Sequence, residues 1–93
     1  MLFEWDEEKN DDCLRKRGFN FGFAAKVFFD PKRVVDPDNR RSYGEDRYRV
    51  MGRIDSRLYV IVYTPRLDTV RIISARKANK REERDYEDRT SKD

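Results

Sequence analysis

The longest apolar run in this 93-residue chain is Leu58 to Tyr63, and no polar residue interrupts it. A strand that is apolar on both faces is stable where both faces are covered, so this segment predicts a central strand with structure above and below it. It is far too short to cross a bilayer, which takes about 20 residues. The rest of the chain must supply the cover from little material, since 37% of it is hydrophobic and 44% charged. A domain of this size buries only about 60–65% of its unfolded surface. Six Phe, five Tyr and one Trp offset part of that shortage, because each ring buries a large area. A partner subunit that shares the core or covers an apolar patch fits the same shortage. Residues 1–93 read as one compact cytoplasmic domain without a secretory or membrane segment.

Punctuation around the central run predicts the remaining elements. Met1 to Trp5 can form a strand, and Asp6 offers an N-cap to a helix running to Arg17, with Gly18 closing it. Cys13 and Leu14 are that helix's clear apolar contacts. A second helix follows the N-cap Asn20, with Phe21, Ala24, Ala25 and Phe28 at i, i+3, i+4 and i+7 and a Phe19–Ala24 staple. Asp30-Pro31 ends it. Strands are then expected over Arg33–Asp36, Arg47–Ile54, Leu58–Tyr63 and Thr69–Ala75, the last three as an antiparallel meander. Asn79 and Glu82 have the spacing of a capping box, so a last helix should start there and reach about Asp88, with residues 89–93 frayed. The order is β-α-α-β-β-β-β-α. The expected class is α+β, a small antiparallel sheet with two N-terminal helices and one C-terminal helix.

The single Cys13 rules out an internal disulfide, which fits a reducing cytoplasm. One Cys and no His cannot build a Cys/His zinc site, so no metal is expected, and the common Ser-His-Asp and Cys-His arrangements are excluded as well. The net charge of +3 is unevenly spread. Residues 1–46 hold 9 basic and 11 acidic side chains, and residues 47–93 hold 13 and 8. The basic half can be a footprint for an anionic partner or the ordinary surface of a highly charged small domain.

Five stretches carry a likeness: FEWDEEKN, LRKRGFNFGFAAKVFFDP, YGEDRYRVMGR, VIVYTPR and RIISARKANKREERDYE. In this order they resemble the BrnT family, toxins of type II toxin–antitoxin modules, over residues 2 to 87. The resemblance implies a small ribonuclease of RelE-like fold that needs no metal or cofactor and arrests translation by degrading RNA. It also implies a BrnA-like antitoxin that neutralises by binding, contact with operator DNA only through that antitoxin, no membrane, and room for a dimer within the complex. Two positions depart from the family pattern. Arg17, in Lys16-Arg17-Gly18, and Arg41, before Ser42-Tyr43-Gly44-Glu45, stand where the family usually has histidine. Arginine keeps the charge but does not release a proton near neutral pH.

Metal-free RNA cleavage drives a 2′-hydroxyl onto the adjacent phosphorus, so a site must orient it, stabilise phosphate charge and move protons. Arg71 interrupts an apolar strand, as a phosphate clamp, as the partner of a carboxylate such as Glu45 or Asp68, or as an arginine at a sheet edge. Arg76, at the end of that strand, can point into a groove. Lys16 is a further phosphate contact or a solvated lysine at a helix end. Glu45 and Glu82 are candidate proton acceptors, with capping the other role for Glu82. Tyr86 is a proton donor or base-stacking ring, or a buried anchor for the last helix. Lys80, Arg81 and Arg84, with Arg17 and Arg41, are expected to attract RNA. Two other readings remain: a catalytically weakened relative that binds antitoxin and RNA as a corepressor subunit, and a nucleic-acid-binding domain of other descent.

Overall fold

The computed structural model describes residues 1–39 and 44–91. Its elements are β1 (Leu2–Trp5), α1 (Glu7–Arg17), α2 (Phe21–Ala24), a 3-10 turn (Ala25–Phe29), β2 (Val34–Pro37), β3 (Tyr48–Ile54), β4 (Arg57–Arg66), β5 (Thr69–Lys77) and α3 (Lys80–Thr90). Five strands form one sheet in the order β1-β5-β4-β3-β2. The class is α+β, as expected, but the sheet is mixed. Strands β2 to β5 run antiparallel, whereas β1 joins the far edge parallel to β5, with Glu4 opposite Arg71 and Trp5 opposite Ile72. A hairpin is announced by its own turn residues; pairing between segments more than 60 residues apart has no such local signal.

Leu58–Tyr63 lies in β4, the central strand, and both of its faces are covered. On one face Val50, Ile54, Tyr59, Ile61 and Ile72 pack under α1, α2 and the 3-10 turn. Phe28 closes that layer, its ring 5.4 Å from Phe3 and 5.1 Å from Tyr63. On the other face Met51, Leu58 and Val60 meet Val34, Ala78 and Tyr86, so α3 covers the β2–β3–β4 side.

The caps behave as their residue types require. Asp6 Oδ1 accepts from the Glu8 and Lys9 amides, and Gly18 leaves α1 at φ 82°. Leu14 departs from expectation: it is exposed, and Cys13 alone of the pair enters the core. The missing anchorage comes from Asn10, whose Oδ1 accepts from the Phe21 amide at 2.8 Å. Asn20 caps α2, which tightens after one turn into the 3-10 segment. The capping box at Asn79 and Glu82 forms in full. Helix α3 continues through Arg89 and Thr90, because the Arg89 fork meets both oxygens of Asp36 at 2.8 and 2.9 Å.

Candidate nucleic-acid interface

Residues paired across neighbouring strands share a sheet face, and this sorts the charges. Arg49 lies opposite Val62, which lies opposite Ser74; Val60 lies opposite Arg76, Thr64 opposite Arg71, and Arg71 opposite Glu4. All of these belong to the face that α3 covers only in part. Under α3 its floor is Met51, Leu58 and Val60, with Arg53 against Tyr86, and Arg49, Arg71, Arg76, Glu4 and Glu82 gather where the helix leaves the face open. A β-bulge at Ile73, between Tyr63–Ile72 and Val62–Ser74, keeps both Arg71 and Arg76 on this face despite their odd and even numbers.

The arginines are ordered by acids. Arg76 meets Glu82 through two parallel bonds of 2.8 Å, and Arg49 lies 3.9 Å from the same carboxylate. Arg71 Nη1 donates to Glu4 at 2.8 Å. At the far end Arg66 and Arg47 both reach Glu45, at 3.2 and 3.5 Å. Planar forks held by carboxylates already have the geometry that a phosphate accepts.

The pair to Arg76 and the capping amide of Asn79 pull the Glu82 carboxyl down to about 2. It is ionised at neutral pH and is a weaker base than an ordinary carboxylate. Its folded value lies below the ordinary 4.5, so it contributes stability that is fully present above pH 4.5 and is lost as pH falls toward 2. Glu82→Gln is expected to lower stability at pH 7 and to flatten the acid limb of a denaturation series between pH 5 and pH 2. An acid limb as steep as that of the unaltered protein would contradict this role.

Tyr86 occupies a different environment. It is buried, its hydroxyl donates to Asp30 Oδ2 at 2.6 Å, and the Arg53 guanidinium lies over its ring. Burial, helped by the Asp30 carboxylate, pushes its pKa up to about 12. Asp30 also accepts from the Arg53 amide at 2.7 Å, so Tyr86 ties α3 to the end of the 3-10 turn and the end of β3.

The structure therefore brings Arg71, Arg76 and Glu82 onto one face. Glu45 stands beside Arg47 and Arg66, and Lys80, Arg81 and Arg84 are exposed along α3. Lys16 and Arg17 lie round the β5 edge, on the last turn of α1. Arg41 falls outside the described residues. Glu4, Arg49 and Asp30 are the participants that sequence reasoning missed. Arg49 had a signal in the alternation of β3, whereas Glu4 becomes visible only with the parallel pairing of β1. Among the described residues no three His, Cys, Asp or Glu side chains converge as a metal-binding group.

The family model described as "Ribonuclease toxin, BrnT, of type II toxin-antitoxin system" matches residues 5–82. The chain belongs to the BrnT family. That match takes in Lys16, Arg17, Glu45, Arg71, Arg76 and Glu82, and it stops before Arg84 and Tyr86. Membership in the BrnT family makes this a ribonuclease toxin type whose module supplies a protein antitoxin. No curated protein matches the chain. No helix among the described residues is long and apolar enough to cross a membrane.

Proposed function

We propose that this BrnT-family chain is a metal-independent endoribonuclease of RelE-like fold, which cleaves RNA on the partly open sheet face and thereby inhibits translation in the cytoplasm. The observation that carries this reading is the row Arg49, Arg71 and Arg76, drawn from two strands onto one face and pre-ordered by Asp36, Glu4 and Glu82. Arg71 gives one nitrogen to Glu4 and keeps a side chain 31% exposed, so a phosphate can take the outer edge of its fork. Arg76 and Arg49 would stabilise the charge that builds on the phosphate oxygens as the 2′-hydroxyl attacks. Lys80, Arg81 and Arg84 would draw the polyanion in without reading its sequence. Of the two candidate proton acceptors, Glu45 is the one that remains once Glu82 is held so far below the ordinary carboxylate range. A BrnA-like antitoxin neutralises the protein by binding and carries the operator-DNA contact of the complex, in which the toxin can dimerise.

One observation favours a second reading, a weakened enzyme that works as an antitoxin- and RNA-binding corepressor subunit. The chain has no histidine, Glu82 is held at about 2, and Tyr86 is buried with its proton at about 12. Proton transfer is thus the scarce resource here, while phosphate binding is well supplied. Induced expression separates the readings. Growth arrest with loss of cellular mRNA, relieved by co-expressed antitoxin, is expected of the ribonuclease; unimpaired growth with stable antitoxin binding would support the corepressor.

A further inference from the structure

Strand β1 pairs with β5 from Thr69 to Ile72, so from Ile73 onward the outer edge of β5 has no neighbouring strand among the described residues. The Ala78 amide bonds to the Leu58 carbonyl, which puts Val60–Arg76 and Val62–Ser74 in the same hydrogen-bonded phase. Ala75 and Lys77 therefore turn their backbone groups outward. Helix α1 stands across this edge, and the Cys13 thiol, kept protonated by burial, donates to the Ala75 carbonyl at 3.7 Å.

Two clefts, each of about 330 Å³, lie along the gap and share Arg17. The first has Lys9, Lys16 and Arg17 on its α1 wall and Ser74 on its β5 wall. Its one acid, Asp12, is ion-paired to Arg15. The second is floored by Phe23 and Tyr59, with Leu14 on one side and Lys77 on the other. Ser74 is exposed and lies on the arginine face between Arg71 and Arg76, so it joins the clefts to the candidate site.

We infer that the α1–β5 edge is a binding track for single-stranded RNA, which receives the segment flanking the phosphate held by Arg71 and Arg76. The inference rests on the RNA-cleaving reading for its substrate but assigns residues outside that site. Lys9, Lys16, Arg17 and Lys77 match a phosphate backbone in charge. The aromatic floor and the half-exposed Leu14 offer a surface for one unstacked base, the combination by which proteins hold single strands. A duplex keeps its bases stacked and paired and cannot offer one to this floor.

The test is binding of 2′-O-methyl RNA, which lacks the attacking hydroxyl and cannot be cleaved by this chemistry, so the readout does not depend on turnover. Lys9→Glu/Lys77→Glu reverses two exposed charges of the track. Lys32→Glu/Arg33→Glu makes the same change in charge away from it, at two exposed positions just before β2. Relative to the unaltered protein, the track variant is expected to raise the Kd for a single strand of about twelve nucleotides roughly tenfold. The control should change it about twofold or less. A strand of about three nucleotides, enough for the arginine face alone, should show no difference between the two variants. Equal losses for both variants, or an unchanged Kd for the track variant, would overturn the inference. Binding that behaves as expected in a protein that cleaves no RNA would count against the enzyme and leave the track standing.

Discussion

Arg76→Ala is expected to lower kcat/KM for RNA cleavage about 10²–10³-fold, the usual loss when one pre-ordered donor to a developing oxyanion is removed. The side chain touches Glu82 through both terminal nitrogens and sits on the same face as Arg49 and Arg71. Arg76→Lys should recover only part of the loss, because an ammonium supplies the charge without the planar fork. Loss of the pair also leaves the Glu82 carboxylate to the Asn79 amide and Arg49, so a melting curve must accompany the kinetics. A folded Arg76→Ala protein that cleaves RNA as fast as the unaltered chain would remove Arg76 from the site.

Gly52→Ala is expected to be the most destabilising single methyl in the protein. Gly52 lies in β3 directly under the 3-10 turn, and a Cβ there would stand 2.7 Å from the Val27 carbonyl oxygen and 2.9 Å from Val27 Cβ. Neither neighbour is the movable end of a long side chain. Relief requires the turn to lift, which opens the layer formed by Val27, Phe28 and Val50. Overpacking of this kind costs about 1–3 kcal/mol, and a contact with backbone belongs at the upper end. A domain this small has little reserve, so chemical denaturation should show a transition moved to much lower denaturant. An unchanged midpoint would mean that the turn is not seated on Gly52.

How much of this was legible in the sequence depended on the range of the interaction. The three N-caps, the Gly18 terminus and the Asn79–Glu82 box were readable because each is decided within four residues. The central place of Leu58–Tyr63 was readable because only one run is apolar on both faces. The partner of Arg71 was not. Sequence offered Glu45 or Asp68, but the carboxylate is Glu4, brought there by a parallel strand pairing that leaves no turn signature. The same pairing turned the expected antiparallel sheet into a mixed one. For Glu82 and Tyr86 the sequence left two roles each; the structure shows the capping and the anchoring, with Asp30 as the unforeseen acceptor for Tyr86. Arg71 and Arg76 share a face only because of the bulge at Ile73, which strict alternation would have denied.

The most direct test of the central claim is the chemistry of the cut ends. Purified protein is incubated with RNA in excess EDTA, beside Arg76→Ala prepared in the same way. Attack by the 2′-hydroxyl leaves a 2′,3′-cyclic phosphate on one fragment and a 5′-hydroxyl on the other. The predicted result is cleavage that survives EDTA, yields those ends and falls away in Arg76→Ala. RNA cut only when a divalent metal is restored, or fragments bearing 5′-phosphates, would contradict it.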